Sequence, residues 1–203
     1  MRNLIILIFL IVFGISVYAQ QRCGTSAYTL QLMNKYPEYK LAREKVNDQT
    51  IKWLQENPNN NLKSIITIPV VVHVVWNTNA ENISDAQIFS QIDILNEDFR
   101  RTNSDASNTP SVWQNIAADC EIDFCLATVS PNGLATTGIT RTQTSQTSFS
   151  ISSDNVKSSS SGGIDPWPQD DYLNIWVCDL GGGLLGYATP PSNWSNPDDG
   201  VVI

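Results

Sequence analysis

The run IITIPVVVHVVW, from Ile65 to Trp76, constrains this chain more than any other stretch. It is an almost unbroken series of β-branched residues. A strand with one wet face alternates apolar and polar side chains, and this one has no polar face to offer water. It predicts a strand buried on both sides. Pro69 sits early in it, where one ladder hydrogen bond can be spared. Ile83 to Arg101 then predicts an amphipathic helix. Ser84 is its N-cap, and Gln87 completes a capping box. Ile83 and Ile88 stand at the staple positions. Ile88, Ile92, Leu95 and Phe99 fall on one face. A two-sided strand followed by such a helix opens an α/β layer.

Further strands are expected at Ile122 to Val129, Leu173 to Val177 and Leu184 to Ala188, with an edge strand at Gly138 to Thr144. Val112 to Ala118 predicts a short helix. Thr144 to Gly163 is rich in Ser and Thr and predicts a long surface excursion. Gly181, Gly182 and Gly183 predict a flexible turn. Val201, Val202 and Ile203 read as another apolar strand. Real termini are usually polar and exposed. The expectation is therefore a chain that continues past Ile203, whose isolated front part leaves a face of its last strand uncovered.

Residues 1–19 read as a signal peptide. Arg2 and Asn3 precede an apolar core, Leu4 to Val17, shorter than the roughly 20 residues of a membrane span. Val17-Tyr18-Ala19 places small residues where signal peptidase reads. The expected protein is secreted and extracellular, with no membrane contact after signal removal. Residues 20–64 differ in character from the remainder of the chain. They hold much of the Lys and Arg, with weak helical periodicity over Pro37 to Gln55. A linker is expected at Asn57 to Ser64, with Lys63-Ser64 an exposed cleavage point.

A formal net charge of −8 over 203 residues argues against binding nucleic acid. After export, Cys120, Cys125 and Cys178 could pair in more than one way. His73, the single histidine, reads as a core residue. The glycine triplet lacks the Lys-Ser/Thr of a phosphate loop. Asp198 and Asp199 read as solvated loop carboxylates, with cation binding the alternative. No complete catalytic set is present. Cys23, in Arg22-Cys23-Gly24-Thr25, is a soft thiolate ligand suited to zinc. A lone cysteine there also fits a disulfide partner or a lipid-linked thiol.

Several long segments in order carry a resemblance: IPVVVHVVW, ISDAQIFSQIDILNEDFRRTNSDASNTP, IDFCLATVSPNG, GITRTQT, DYLNIWVCDLGGGLLGYATPP and DGVVI. Over Ile68 to Ile203 the chain resembles the pappalysin-like (cytophagalysin) zinc metallopeptidases of the metzincin clan. The Arg22-Cys23-Gly24 start is similar too. The resemblance implies an α+β fold: the N-terminal metzincin subdomain, a twisted, mostly parallel sheet with one antiparallel edge strand and a backing helix. It implies residues 20–64 as pro-segment and linker, and residues 65–203 as an incomplete catalytic domain. It implies a zymogen-type zinc endopeptidase acting on proteins or peptides through a zinc-activated water. The long histidine motif of that family would lie beyond this chain. Leu185, Gly186, Tyr187 and Ala188 would pair with substrate. Cys23 would be the latency ligand to zinc. Calcium is also implied, with no ligands placed here. On the residues alone, a secreted binding or adhesion module, or an inactive truncated homologue, stays open.

Overall fold

The computed structural model describes residues 22–58, 64–196 and 198–203. The expected signal peptide, Lys63 and most of the expected linker lie outside the described residues. Two helices lead, α1 (Thr25–Lys35) and α2 (Pro37–Glu56). They are followed by β1 (Ile66–Trp76), α3 (Asp85–Phe99), β2 (Ile122–Leu126) and β3 (Ile139–Gln143). The chain then forms β4 (Leu173–Val177), β5 (Tyr187–Ala188) and β6 (Val201–Val202). One sheet runs in the order β2-β1-β4-β6-β5. β3 continues along the same side of β1, past the end of β2. Every pairing is parallel except β5 against β6. The fold is α+β with a mixed, mostly parallel sheet.

β1 sits inside this sheet and feeds two cores. Val70, Val72 and Val74 join Ile88 and Ile92 of α3, with Phe124 and Ile175. Val75 faces the other way, toward Tyr28 and Leu32 of α1, Tyr39 of α2, Phe149, Val156, Trp176, Tyr187 and Val202. Both faces are covered, which is why β1 lacks alternation. Each fully buried valine contributes about 1.5–3 kcal/mol.

α3 begins where its cap predicts. Ser84 Oγ accepts from the Gln87 N–H at 3.2 Å, which satisfies one of the first-turn donors. Phe99 meets Phe124 edge-on, with centroids 4.9 Å apart. Asn96 reaches from the helix to β2. Its Nδ2 donates to Phe124 O at 3.0 Å, and its Oδ1 accepts from Phe124 N at 2.6 Å. That side chain takes the place of a neighbouring strand at the sheet edge.

Several expectations give way. Residues 112–116 form turns and 117–118 no regular element, so there is no helix here. Val112, Trp113 and Ile116 are all exposed, so no packed face holds so short a helix together. Residues 144–163 are not a surface excursion. Phe149, Val156 and Lys157 are buried, and the segment closes the second core through two short 3-10 turns, Asn155–Lys157 and Ser159–Ser161. Three anchors hidden among serines reverse the compositional reading. α1 was not expected. Only Tyr28 and Leu32 are buried on it, too few to write a visible stripe. β6 lies between β4 and β5, and Val202 is fully buried. Cys120, Cys125 and Cys178 are free thiols. Burial, with the nearby charges of Asp179 and Glu81, pushes the Cys178 thiol up to about 12.

Candidate functional site

β5 is the outer strand of the sheet. Tyr187 and Ala188 pair with Val202 and Val201. Just before them Gly186 runs so close to β6 that a Cβ there would stand 2.7 Å from Val202 O. An outer strand presents a row of backbone donors and acceptors. Here the N-terminal segment takes them up. Leu185 N–H donates to Arg22 O at 2.7 Å, and Gly24 N–H donates to Gly186 O at 2.8 Å. Ala188 N–H donates to Thr25 Oγ1 at 3.1 Å. Cys23 thus bridges Gly186 in the parallel sense. Residues 22–25 lie on the edge as an added strand and then turn into α1.

The Cys23 side chain is exposed, with its sulfur 3.5 Å from Thr25 Oγ1. The thiol donates to that oxygen, which also accepts from the Ala188 N–H. The Thr25 hydroxyl, and then the Thr25 backbone, hold the thiol below its usual range. A lowered thiol is a better metal ligand at neutral pH.

Beneath the edge strand lies a polar node that the sequence reading missed. Tyr28 Oη donates to Asp154 Oδ2 at 2.6 Å, and Tyr187 Oη donates to Asp154 Oδ1 at 2.6 Å. Lys157 Nζ lies 3.3 Å from Asp154 Oδ2. It donates to Tyr28 Oη at 3.0 Å and to Asp198 O at 2.9 Å. Its ammonium faces the rings of Tyr28, Tyr187 and Trp176. Burial lowers the Lys157 ammonium, against the pull of Asp154. Burial, and then the Asp154 charge, push both phenols well above their usual range. One signal was available: Lys157 is the only lysine in residues 64–203.

His73 is fully buried. Its Nε2 lies 3.0 Å from Asn174 Oδ1, and its Nδ1 lies 2.7 Å from Thr140 Oγ1. Asn174 Oδ1 also accepts from Trp167 N–H, while Asn174 Nδ2 donates to Trp167 O. That network orients the amide, so His73 carries its proton on Nε2 and accepts from Thr140 on Nδ1. Burial holds the ring neutral down to about 4, against the hydrogen bond that the ring donates to Asn174. Both nitrogens are used, and the residue is a core histidine. Asp198 and Asp199 are not solvated loop carboxylates. Both are partly buried, and burial raises each.

Among the described residues no cluster of three or more His, Cys, Asp or Glu could hold a metal ion. A complete zinc centre does not fit the residues present. Cys23 alone fits as a single ligand, and no catalytic step is derived from these side chains.

No family model matches the chain, and no curated protein matches it. Solved structures do. A promirolysin mutant of Tannerella forsythia is 46% identical, with a TM-score of 0.71 over 90% of this chain and 59% of that one. Mature mirolysin of Tannerella forsythia, in complex with a cleaved peptide, is 57% identical, with a TM-score of 0.67 over 70% of this chain and 53% of that one. Mirolysin in complex with compound 9 is 55% identical, with a TM-score of 0.64 and the same coverage, 70% and 53%. This chain therefore spans just over half the length of the structures it matches, and it is similar to mirolysin in both pro and mature forms.

Proposed function

We propose that this chain is the latent, substrate-binding front of a secreted zinc endopeptidase made as a zymogen. Residues 20–64 are its pro-segment and linker. Residues 65–203 are the N-terminal part of a catalytic domain of the pappalysin-like, metzincin type. The observation that carries this reading is the docking of Arg22 to Thr25 along the outer edge of β5. An extended peptide adds to an open sheet edge through the same backbone groups. Substrate would therefore pair with Leu185, Gly186, Tyr187 and Ala188 once the segment leaves.

Coverage supports the zymogen part. The match to the pro form takes in 90% of this chain, and the match to the mature form takes in 70%. The relative bound to a cleaved peptide supports a peptide substrate. Cys23 would be the zinc ligand that holds the protein latent. The remaining zinc ligands, and any calcium ligands, lie outside these residues, since the one histidine is locked in the core. Bound zinc supplies a Lewis acid and an activated water. This chain supplies the edge on which the peptide lies. Neither nucleic acid nor membrane is a partner.

The test uses the full-length secreted protein. Metal content is measured, and casein cleavage is followed before and after chelation, in the parent and in Cys23→Ala. The reading expects bound zinc, cleavage abolished by chelation, and earlier activation in Cys23→Ala. A metal-free protein that never cleaves casein would favour a binding or adhesion module. Zinc-dependent cleavage with unchanged latency in Cys23→Ala would take the thiol out of the lock.

A further inference from the structure

Tyr28 reaches the polar node from 126 positions away in sequence. Only 1% of it is exposed. Its ring packs on Tyr187 with centroids 4.8 Å apart, and Lys157 Nζ stands 4.6 Å from its centroid. Its hydroxyl donates to Asp154 and accepts from Lys157. The phenol is engaged both as donor and as acceptor, each time by a group outside the N-terminal segment.

The walls are also held without it. Tyr187 keeps its own bond to Asp154 Oδ1, Lys157 stays paired with Asp154, and its ammonium still reaches Asp198 O. Trp176 is tied to Ile164 O through its indole N–H at 3.0 Å. The result is a preformed slot with flat apolar walls and one acceptor–donor pair placed for a single hydroxyl. Beside it a cavity of about 200 Å³ is lined by Gln31, Lys35, Ser152 and Ser153 among others, leaving room for a side chain to enter or leave.

We infer that Asp154, Lys157, Tyr187 and Trp176 form a binding site for a phenol side chain, that Tyr28 is its resident ligand, and that this contact holds residues 22–35 on the sheet. The inference needs neither metal nor peptidase activity, so it stands apart from the proposed function. A phenylalanine ring would fill the same space and leave Asp154 Oδ2 and Lys157 each one partner short. A buried charged group that loses its partner is costly, so the site discriminates tyrosine from phenylalanine by about 10- to 100-fold.

Amide hydrogen exchange on the full chain tests this, because it resolves local opening from global unfolding. In Tyr28→Phe, exchange across α1 is expected to quicken about 10- to 100-fold, with Val70 to Val75 unchanged. In Tyr28→Ala, added p-cresol is expected to restore α1 protection, and toluene is not. Leu32→Ala, which loosens the same helix without opening the slot, is expected to gain nothing from p-cresol. Unchanged α1 exchange in Tyr28→Phe would overturn the inference, and so would equal rescue of Tyr28→Ala by p-cresol and toluene. Should Tyr28→Ala not fold, the Tyr28→Phe result decides alone.

Discussion

The two faces of this sheet are closed by different means. On one, a single capped helix lays an apolar stripe across β1 and β2, and no charged residue belongs to its buried cluster. On the other, pieces distant in sequence meet: α1, Tyr39 of α2, residues 149–164 and β5. There an ion pair is enclosed with two phenols. An apolar seam tolerates imperfection. A buried charge network is worth its desolvation only when each member is satisfied. The first face is built as a permanent core. The second is completed by the N-terminal segment, whose Tyr28 bonds both Asp154 and Lys157.

The sharpest way to break that contrast is Asp154→Ala. It leaves Lys157 buried without its counter-ion and two phenols without an acceptor. The expected loss is about 3–5 kcal/mol in urea unfolding, with α1 opening first. A loss under about 1 kcal/mol, the range of an exposed ion pair, would mean that the node closes nothing. Ile92→Ala probes the other face. It should cost roughly 2–4 kcal/mol and loosen all strands together, with no selective release of α1.

The next effect concerns pH and the strand between the faces. His73 titrates near 4 when folded, against 6.5 ordinarily. The folded state disfavours the charged ring, so the unfolded chain takes up the proton first as pH falls. Stability from this group is complete above about 6.5 and is lost as pH falls to about 4, by roughly 3 kcal/mol in all. Asp198 and Asp199, raised by burial, act in the opposite sense. The clean measurement is therefore the difference between parent and His73→Gln across that window. The two curves should converge as pH falls, and parallel curves would reject the assignment. The smallest effect is Ser84→Ala, about 1 kcal/mol through loss of the α3 cap, read in thermal unfolding.

Legibility in the sequence follows the same division. The α3 face is written locally: cap, staple and stripe stand within one helix, and the two-sided burial of β1 is visible in one run. The other face depends on Tyr28, Asp154, Lys157 and Tyr187, which are far apart in the chain. Asp154 and Lys157 sit among serines and asparagines, where a solvated reading is the natural one. The edge strand shows partly, because Leu184 to Ala188 is apolar enough to predict it. Its pairing with Arg22 to Gly24 cannot be seen, since backbone hydrogen bonds carry no side-chain signature.

The central claim is that one edge serves two occupants in turn, the N-terminal segment first and a peptide after it. It is tested most directly by amide exchange at Leu185 and Ala188 in the full-length protein. The two amides are read before the segment is cut away, after its removal, and again with an extended peptide added. The account predicts protection, then its loss, then its return, with Val70 to Val75 protected throughout. The same exchange rate in all three states would contradict it.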